Sequence, residues 1–247
     1  MNTVAHPLER ALALARKELY AYINSPVFYG IAIFFLLFVS LWLFYFQRFF
    51  ALDSATLRPF FAAFPLVFII VIPVITMKSW AEERKLGSVE LLLTMPFSEW
   101  DLVMGKFFSS FTILAIIIAL TILVPLSLLP LGDFEAGVII GEYAGVLLLG
   151  ASATSLGVFL SSLAKNQAGA FLGSAVVLLI VMLINQLTQT SNLPLWLAEG
   201  INFLSLSFHF ETFSKGIIDS RDLAFFILTT VLFLFLNTRV LLFRKWS

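Results

Sequence analysis

The side chains that could carry out chemistry in this sequence are few, and they do not form a catalytic set. The two histidines are His6 and His209, cysteine is absent, and neither an H-E-x-x-H nor a G-x-S-x-G motif occurs. Zinc sites and serine nucleophiles depend on such ligands and motifs. The chain also lacks a G-x-x-x-x-G-K-[ST] loop for nucleotide phosphates. We therefore predict no catalytic residue, no metal site and no cofactor bound by this chain, and interpret His209 as an aromatic-like interfacial residue.

Charged residues are concentrated in one segment of an otherwise apolar chain. Residues 78–107, KSWAEERKLGSVELLLTMPFSEWDLVMGKF, carry nine charged side chains between two long apolar runs. The 247-residue chain is 12% charged, with a mean hydropathy of +1.01, whereas about 25% of residues are charged in soluble domains. These values predict an integral membrane protein in contact with lipid. The net charge of zero gives no reason to expect a nucleic-acid partner.

Six apolar runs are long enough to cross a bilayer as helices. A helix needs about 20 apolar residues to span a hydrocarbon layer of roughly 30 Å. We predict an all-α polytopic membrane protein with six transmembrane helices near 27–46, 60–80, 102–129, 137–163, 168–187 and 222–243. Pro65, Pro73 and Pro125 predict kinks in the second and third spans. Residues 1–26 contain no unbroken apolar run, so we expect no cleaved signal peptide.

The distribution of Lys and Arg predicts how these spans are oriented. An even number of spans places both termini on one side of the membrane. Eleven of the fifteen basic residues lie in the two termini and in the second and fourth loops. Because cytoplasmic segments carry the excess of positive charge, we expect both termini and the second loop in the cytoplasm.

The predicted spans carry no charged residue near their centres. Ion-coupled transporters usually place an ionisable group at mid-membrane depth, so the energy for uphill transport would have to come from another protein. Lys78, Lys106 and Glu142 lie near span ends, where we expect their head groups to snorkel to interfacial water.

Small residues line one face of the fourth and fifth spans. Ala153, Gly157 and Ser161 repeat every four residues, and Gly169 and Gly173 form a G-x-x-x-G pair. Such faces let helices approach closely, either within this chain, which we favour, or between two copies. Phenylalanine is concentrated in the first and last spans, which suits lipid contact and predicts that these two spans are peripheral.

Residues 7–23 predict an amphipathic helix at the membrane surface. One face carries Leu8, Leu12, Ala15, Leu19 and Tyr22, and the other carries Glu9, Arg10, Arg16 and Lys17. Such a helix lies in the plane of the interface. It serves either as a membrane anchor or as one wall of a docking site for a cytoplasmic partner.

The charged segment itself predicts a short helix between two turns. Gly87 allows a turn, Ser88 can cap a two-turn helix over SVELLLTM, and Pro96 ends it. Ser98 and Asp101 have the spacing of a capping box at the start of the third span. A helix of two turns is not stable alone, so it needs a partner surface: the bilayer, the N-terminal helix or another protein.

The same segment resembles part of a known family. MKSWAEERKLGSVELLLTMPFSEWDLVMGKF is similar to the signature region of ABC-2-type exporter permeases, with its acidic-acidic-basic run, Gly-Ser, Glu-Leu-Leu, a proline and a Gly-Lys entering the next span. The closing stretch FLSLSFHFETFSKGIIDSRDLAFFILTTVLFLFLNTRVLLFRKW resembles the branch that includes gliding-motility (GldF-like) permeases and the permease of nitrous-oxide-reductase maturation systems.

The resemblance implies one transmembrane permease domain, residues 1–247, in a bacterial inner membrane. It would lack its own ATP site, dimerise as a homodimer or heterodimer, and dock cytoplasmic ABC ATPase subunits that bind ATP and Mg. The family's coupling helix corresponds to residues 78–101 and its elbow helix to residues 1–26. Carried over, the ATPase contacts are Glu82, Glu83, Arg84, Gly87, Ser88 and Glu90 in the coupling loop and Glu9, Arg10, Arg16 and Lys17 in the elbow helix.

Residues 188–221 are too apolar for a plain external loop. In the family this region forms short re-entrant helices that cap the external mouth of the pathway, which would make Leu195, Trp196, Leu197 and Phe203 an external gate. A pair of interfacial helices without a gate role, or a docking surface for a periplasmic accessory protein, is consistent with the same residues.

The function expected from the resemblance is ATP-driven export, or transmission of force, by a permease subunit. One alternative is a subunit of a periplasmic maturation, secretion or gliding apparatus, and another is a membrane scaffold without transport. Because no span carries a dense polar stripe, a pathway here favours lipid-like, amphiphilic or extended polymer cargo over small ions.

Overall fold

The computed structural model is helical in every regular element of the residues that it describes, which are 7–51, 56–85, 87, 98–190 and 194–245. It begins with α1 (Pro7–Ile23), which a short turn separates from α2 (Pro26–Leu41). Ser25 caps α2 by accepting a hydrogen bond from the backbone N–H of Val27, and Pro26 occupies the first helical turn. Both residues suit a helix start, because the first N–H groups have no partner within the helix.

The remaining helices complete six spans. In chain order they are α3 (Arg58–Phe61), α4 (Ala63–Thr76), α5 (Ala81–Lys85), α6 (Glu99–Leu120), α7 (Leu123–Leu128), α8 (Ala136–Leu163), α9 (Gln167–Thr190), α10 (Leu195–Leu204), α11 (Leu206–Ser214) and α12 (Ser220–Lys245). By length and composition, six stretches can cross a membrane: Pro26–Phe46, Arg58–Lys85, Glu99–Leu131, Ala136–Leu163, Gln167–Gln186 and Ser220–Phe243. The prediction of an all-α protein with six spans is confirmed.

Helix breaks in the second and third spans lie about one turn before prolines. The break between α3 and α4 follows Phe61, four residues before Pro65, and the break between α6 and α7 contains Thr121, four residues before Pro125. A proline offers no N–H to the carbonyl four residues earlier, and its ring clashes with that carbonyl. Pro73 lies inside α4, which continues past it.

The second and fourth spans form the centre of the bundle. Their side chains are mostly buried, whereas the first, fifth and sixth spans turn much of their surface outward. This agrees with the peripheral position predicted for the phenylalanine-rich first and last spans. Aromatic packing joins the first span to the second, where the ring centroids of Phe35 and Phe64 lie 5.5 Å apart.

The span ends lie on two opposite faces of the bundle. We call the face that carries α1, α5 and the start of α6 the proximal face. The distal face carries α10, α11 and the start of α8. α1 packs along α6 on the proximal side, and α12 packs along α8.

Candidate functional site

A capping box determines where the third span begins. The Ser98 side-chain oxygen accepts a hydrogen bond from the backbone N–H of Asp101 at 3.2 Å, and Asp101 Oδ2 accepts one from the backbone N–H of Ser98 at 3.0 Å. The predicted capping box is confirmed. It satisfies donors that the first helical turn leaves without partners, and it places Lys106 about two turns inside α6.

Lys106 is the centre of a buried ion-pair cluster on the proximal face. Its side chain is 1% exposed, and Nζ lies 2.7 Å from Glu18 Oε1 and 2.7 Å from Glu83 Oε1. Nζ also lies 4.7 Å from the centroid of the Trp80 ring, within range of a cation–π contact. The expectation that Lys106 snorkels to interfacial water is wrong, because two carboxylates from other helices neutralise it inside the protein.

α1 reaches this cluster because a glycine allows it to lie against α6. A Cβ added to Gly105 would lie 2.8 Å from Leu14 Cδ2 and 3.1 Å from the carbonyl oxygen of Ala11, so the close contact depends on glycine at this position. Leu12, which its spacing assigned to the apolar face, is 55% exposed. The helix turns Ala11 and Leu14, and with them Glu18, toward α6. Leu12 therefore lies on the outer surface of α1, which an interfacial helix can present to lipid.

Tyr22 fastens the end of α1 to the second span. Its hydroxyl donates a hydrogen bond to the carbonyl oxygen of Ile75, near the end of α4. Burial, with a smaller contribution from nearby carboxylates, raises the pKa of the Tyr22 hydroxyl well above its usual range, so the hydroxyl keeps its proton. A cavity of about 370 Å³ lies beside it, and its lining includes Glu18, Tyr22, Lys78, Glu82, Glu83 and Lys106.

Arg84 joins α5 to the fourth span. Its guanidinium donates hydrogen bonds to the carbonyl oxygens of Ser162 and Ala164. The end of a helix leaves its carbonyls without partners, and the helix dipole there favours a cation. We call Glu18, Glu83, Arg84 and Lys106 the proximal cluster. Through it, the segment that enters the second loop is bound to α1, to the third span and to the fourth span.

The small face of the fourth span packs against the second span. A Cβ added to Gly157 would lie 2.6 Å from Thr76 Oγ1. Ser161 Oγ accepts hydrogen bonds from the backbone N–H groups of Trp80 and Ala81 at 3.2 and 3.4 Å. This close contact is made within the chain, and it holds the start of α5 directly against the end of α8.

The G-x-x-x-G pair of the fifth span has a different environment. A Cβ at Gly169 would meet Asn166 Oδ1 at 3.2 Å, and no described atom lies within 4 Å of a Cβ at Gly173. Both glycines are exposed. The within-chain packing that we favoured for this pair is absent from the part of the chain that the structure describes, so a seam between two copies remains the prediction for it.

The residues predicted to contact an ATPase lie in three settings. Glu83 and Arg84 are half-buried and have partners inside the chain. Glu82 is half-buried at the cavity wall, and Gly87 is exposed with a φ of +68°, in the left-handed region that glycine favours. Ser88, Glu90 and the short helix expected over SVELLLTM lie outside the described residues. Their contact with an ATPase stays a prediction.

The elbow residues fall on the outer side of α1. Glu9, Arg16 and Lys17 are exposed and Arg10 is half-buried. Two central members of the cluster, Glu18 and Lys106, are not among the residues predicted as a site. The signal that could have identified them is a lysine two turns inside an apolar helix, because such a lysine needs a counter-charge from a neighbouring helix.

The residues expected to form an external gate lie on the distal face. Leu195 and Trp196 are strongly exposed, Leu197 is half-buried, and Phe203 is exposed although its ring packs edge-on against His209 at 5.4 Å. α10 therefore presents apolar side chains outward, as a half-inserted helix or a docking surface would. The gate role itself stays a prediction.

His209 is a buried polar residue rather than an interfacial aromatic one. Its Nδ1 lies 2.6 Å from Asp222 Oδ1, and its Nε2 lies 3.1 Å from the carbonyl oxygen of Phe203. Its ring stacks on Phe225 with centroids 3.7 Å apart. Each ring nitrogen therefore faces an oxygen atom, one on the Asp222 side chain and one on the backbone of Phe203. The pair clamps α10 and α11 to the start of α12.

Replacing His209 with phenylalanine should lower the free energy of unfolding by about 1–3 kcal/mol, because Asp222 would stay buried without its partner. Thermal unfolding of the purified protein in detergent measures this change. The double variant His209→Phe with Asp222→Leu should recover part of the loss. An unchanged midpoint for His209→Phe would show that the pair is not a clamp.

The proximal cluster connects several helices of the bundle. In the ranges that the structure describes, no three His, Asp or Glu side chains form a group that could hold a metal ion. Each charged member instead joins two or more helices. A movement of the second loop would act on α1 and the third span through Lys106 and on the fourth span through Arg84.

Comparison with known proteins gives two findings. Residues 12–242 match the family model described as "ABC-2 family transporter protein". The chain is also similar to the "Probable multidrug ABC transporter permease YbhR" of Escherichia coli strain K12 and of Escherichia coli O157:H7, with 27% identity over 148 residues in each case. These matches cover 58% of this chain and 39% of each relative.

Proposed function

The chain belongs to the ABC-2 family of transporter proteins, and on that premise we propose that it is the permease subunit of an ATP-driven exporter. Permeases of this family are membrane subunits without an ATP site of their own. The energy would therefore come from separate cytoplasmic ABC ATPase subunits that bind ATP and Mg. The proposed complex contains two permease subunits, which can be two copies of this chain or this chain and a related one.

The observation that carries this proposal is the proximal cluster. A permease must convert movement of an ATPase into movement of its spans, which requires a stiff connection between its cytoplasmic surface and the helices. Glu83 and Arg84, at the start of the second loop, would make that connection: Glu83 pairs with Lys106 on α6, which also pairs with Glu18 on α1, and Arg84 binds the end of α8. Buried ion pairs hold a defined geometry because losing either partner leaves an uncompensated charge.

The proximal face is proposed to be cytoplasmic. Most of the Lys and Arg residues lie in the termini and loops on that face, as the positive-inside rule requires for an inner-membrane protein. In this orientation, α1 and the second loop form the docking surface for the ATPase. Glu9, Arg16 and Lys17 provide exposed charges beside it.

We propose that the cargo is amphiphilic or lipid-like. The centres of the spans carry no charged residue that would serve a small inorganic ion. The two Escherichia coli relatives are named as probable multidrug permeases, which is in keeping with apolar cargo.

A second candidate function is supported by the distal face. Leu195 and Trp196 are 82% and 71% exposed on α10, and large apolar side chains exposed in this way often mark an interaction surface. A subunit of a gliding or enzyme-maturation apparatus, of the GldF-like or nitrous-oxide-reductase type, would use such a surface for a periplasmic partner. A membrane scaffold that binds no ATPase is a third candidate function. The experiment below distinguishes it from the other two.

The experiment is affinity purification of the tagged chain from its native membrane, followed by mass spectrometry. We expect an ATPase with a Walker A loop in roughly stoichiometric amount. Replacing Glu82 with lysine should lower ATPase recovery at least tenfold, because it reverses one charge at the proposed docking surface while leaving the cluster's ion pairs in place.

Glu199→Lys is the matched control, since Glu199 is an exposed glutamate on the distal face. It should leave ATPase recovery unchanged. Purification without an ATPase would support a scaffold, and recovery of periplasmic proteins alone would support the apparatus reading. Equal ATPase recovery with Glu82→Lys and with the unaltered chain would remove Glu82 from the docking surface.

A further inference from the structure

A second cavity lies on the distal face, away from the proximal cluster. Its volume is about 400 Å³, and it is formed by the start of the second span, the loop before the fourth span and the first turns of the fourth span. Arg58, Asp133, Glu135 and Glu142 contribute charged groups to its lining, and Phe134 contributes an apolar wall. The cavity therefore combines a polar lining with an apolar surface of the size that an organic ligand needs.

Glu142 is the unusual residue of this cavity. It is 1% exposed, so the expectation that it snorkels to interfacial water is wrong. Its Oε1 atom has no hydrogen-bond partner among the described residues, and no described Lys, Arg or His lies within 4 Å of its carboxylate. A carboxylate buried without a partner is costly. It needs a cation or a proton to offset that cost.

The charges around Glu142 favour a cation. Three carboxylates line the cavity, and Arg58 is the basic residue in the lining, so the acidic groups are in excess. Asp133 and Glu135 are exposed and would attract a cation from solution toward the buried carboxylate. Arg58 is itself exposed, and its charge acts on Glu142 only from beyond ion-pair distance.

The geometry favours an organic cation over a metal ion. Within the described part of the chain, no three acidic or histidine side chains converge closely enough to coordinate a metal. The apolar wall includes Phe134, Val138 and Ile139, which suits an alkyl or aromatic body. An ammonium group can donate N–H bonds to a carboxylate while its apolar body packs against such a wall.

We propose that this cavity binds an organic ammonium ion, with the ammonium group at Glu142 and its apolar body against Val138 and Ile139. Asp133 and Glu135 form the entrance and raise the local concentration of cations. The site is distinct from the proposed ATPase docking surface, because it lies on the opposite face. Binding requires neither ATP nor a partner subunit, so it can be measured on the purified chain.

The test uses dansylcadaverine, a fluorescent primary alkylamine, with the chain in phosphatidylcholine nanodiscs. We expect saturable binding to the unaltered chain. Glu142→Gln, which removes the charge and keeps the shape, should weaken binding at least tenfold. The N-acetylated probe, which has lost its positive charge, should show no saturable binding. Glu199→Gln, on the same face but outside the cavity, should bind the amine as the unaltered chain does.

Thermal unfolding of each variant shows whether it is folded. If Glu142→Gln does not fold, a second cavity variant still tests the proposal. Asp133→Asn with Glu135→Gln changes exposed side chains only and should weaken amine binding severalfold. Three results would overturn the proposal: no saturable binding of the amine to the unaltered chain, equal binding of the acetylated probe, or unchanged affinity in the folded cavity variants. The first of these would indicate that Glu142 is buried with a proton of its own.

Discussion

Replacing Lys106 with methionine should lower the free energy of unfolding by about 3–5 kcal/mol, because removing one partner of a buried ion pair leaves uncompensated charge inside the protein. Lys106 is 1% exposed, and its Nζ lies 2.7 Å from a carboxylate oxygen of Glu18 and 2.7 Å from one of Glu83. Without it, the two carboxylates would face each other at the junction of α1, α5 and the third span. The midpoint of thermal unfolding in detergent measures the loss.

The matched control for this prediction removes all three charges. The triple variant Lys106→Met, Glu18→Gln and Glu83→Gln leaves no unpaired charge, so it should recover most of the stability that Lys106→Met loses. In a complex with an ATPase, we expect the triple variant to remain folded and to transport less, because the connection between the second loop and the spans has been weakened. Wild-type stability of Lys106→Met would contradict the ion-pair cluster.

Gly157→Leu should destabilise the chain by on the order of 3 kcal/mol, because a larger side chain at this position overpacks the contact between the fourth and second spans. Even a Cβ at Gly157 would lie 2.6 Å from Thr76 Oγ1. The helices would have to separate, and the hydrogen bonds that Ser161 accepts from the start of α5 would weaken. Thermal unfolding and the yield of folded protein from membranes report this effect.

Gly173→Leu is the control for this substitution. The same side chain enters a different span at a position where no described atom lies within 4 Å of a Cβ. We expect the stability of the single chain to be unchanged and, if the fifth span forms a seam between two copies, the dimer to dissociate more readily. Equal destabilisation by both substitutions would show that glycine packing in the fourth span is not specific to its contact with Thr76.

Much of the fold could be predicted from the sequence because membrane spans depend mainly on length and hydropathy. The capping box at Ser98 and Asp101 depends on local spacing, and it too was predictable. The helix breaks near Pro65 and Pro125 follow from the clash of a proline with the preceding turn. In the capping box and the helix breaks, the residues that determine the structural feature lie within a few positions of it in the sequence.

The contacts of the charged residues could not be predicted in the same way. Lys106 and Glu18 are far apart in the chain, and their pairing depends on how α1 lies against α6, which Gly105 determines through a contact with Leu14. The spacing of apolar residues identified an apolar face of α1, but it did not indicate that Ala11 and Leu14 are the residues buried against α6. Similarly, the pairing of His209 with Asp222 depends on how α11 packs on α12.

The measurement that tests the central claim most directly is photo-cross-linking from two positions in native membranes. A photoreactive amino acid is placed at position 82 on the proximal face and, in a second variant, at position 199 on the distal face. The proposed function predicts that position 82 captures a protein with a Walker A loop and that position 199 does not. Capture of no ATPase at position 82, or its capture at position 199 instead, would contradict the claim that this chain docks an ATPase through its proximal face.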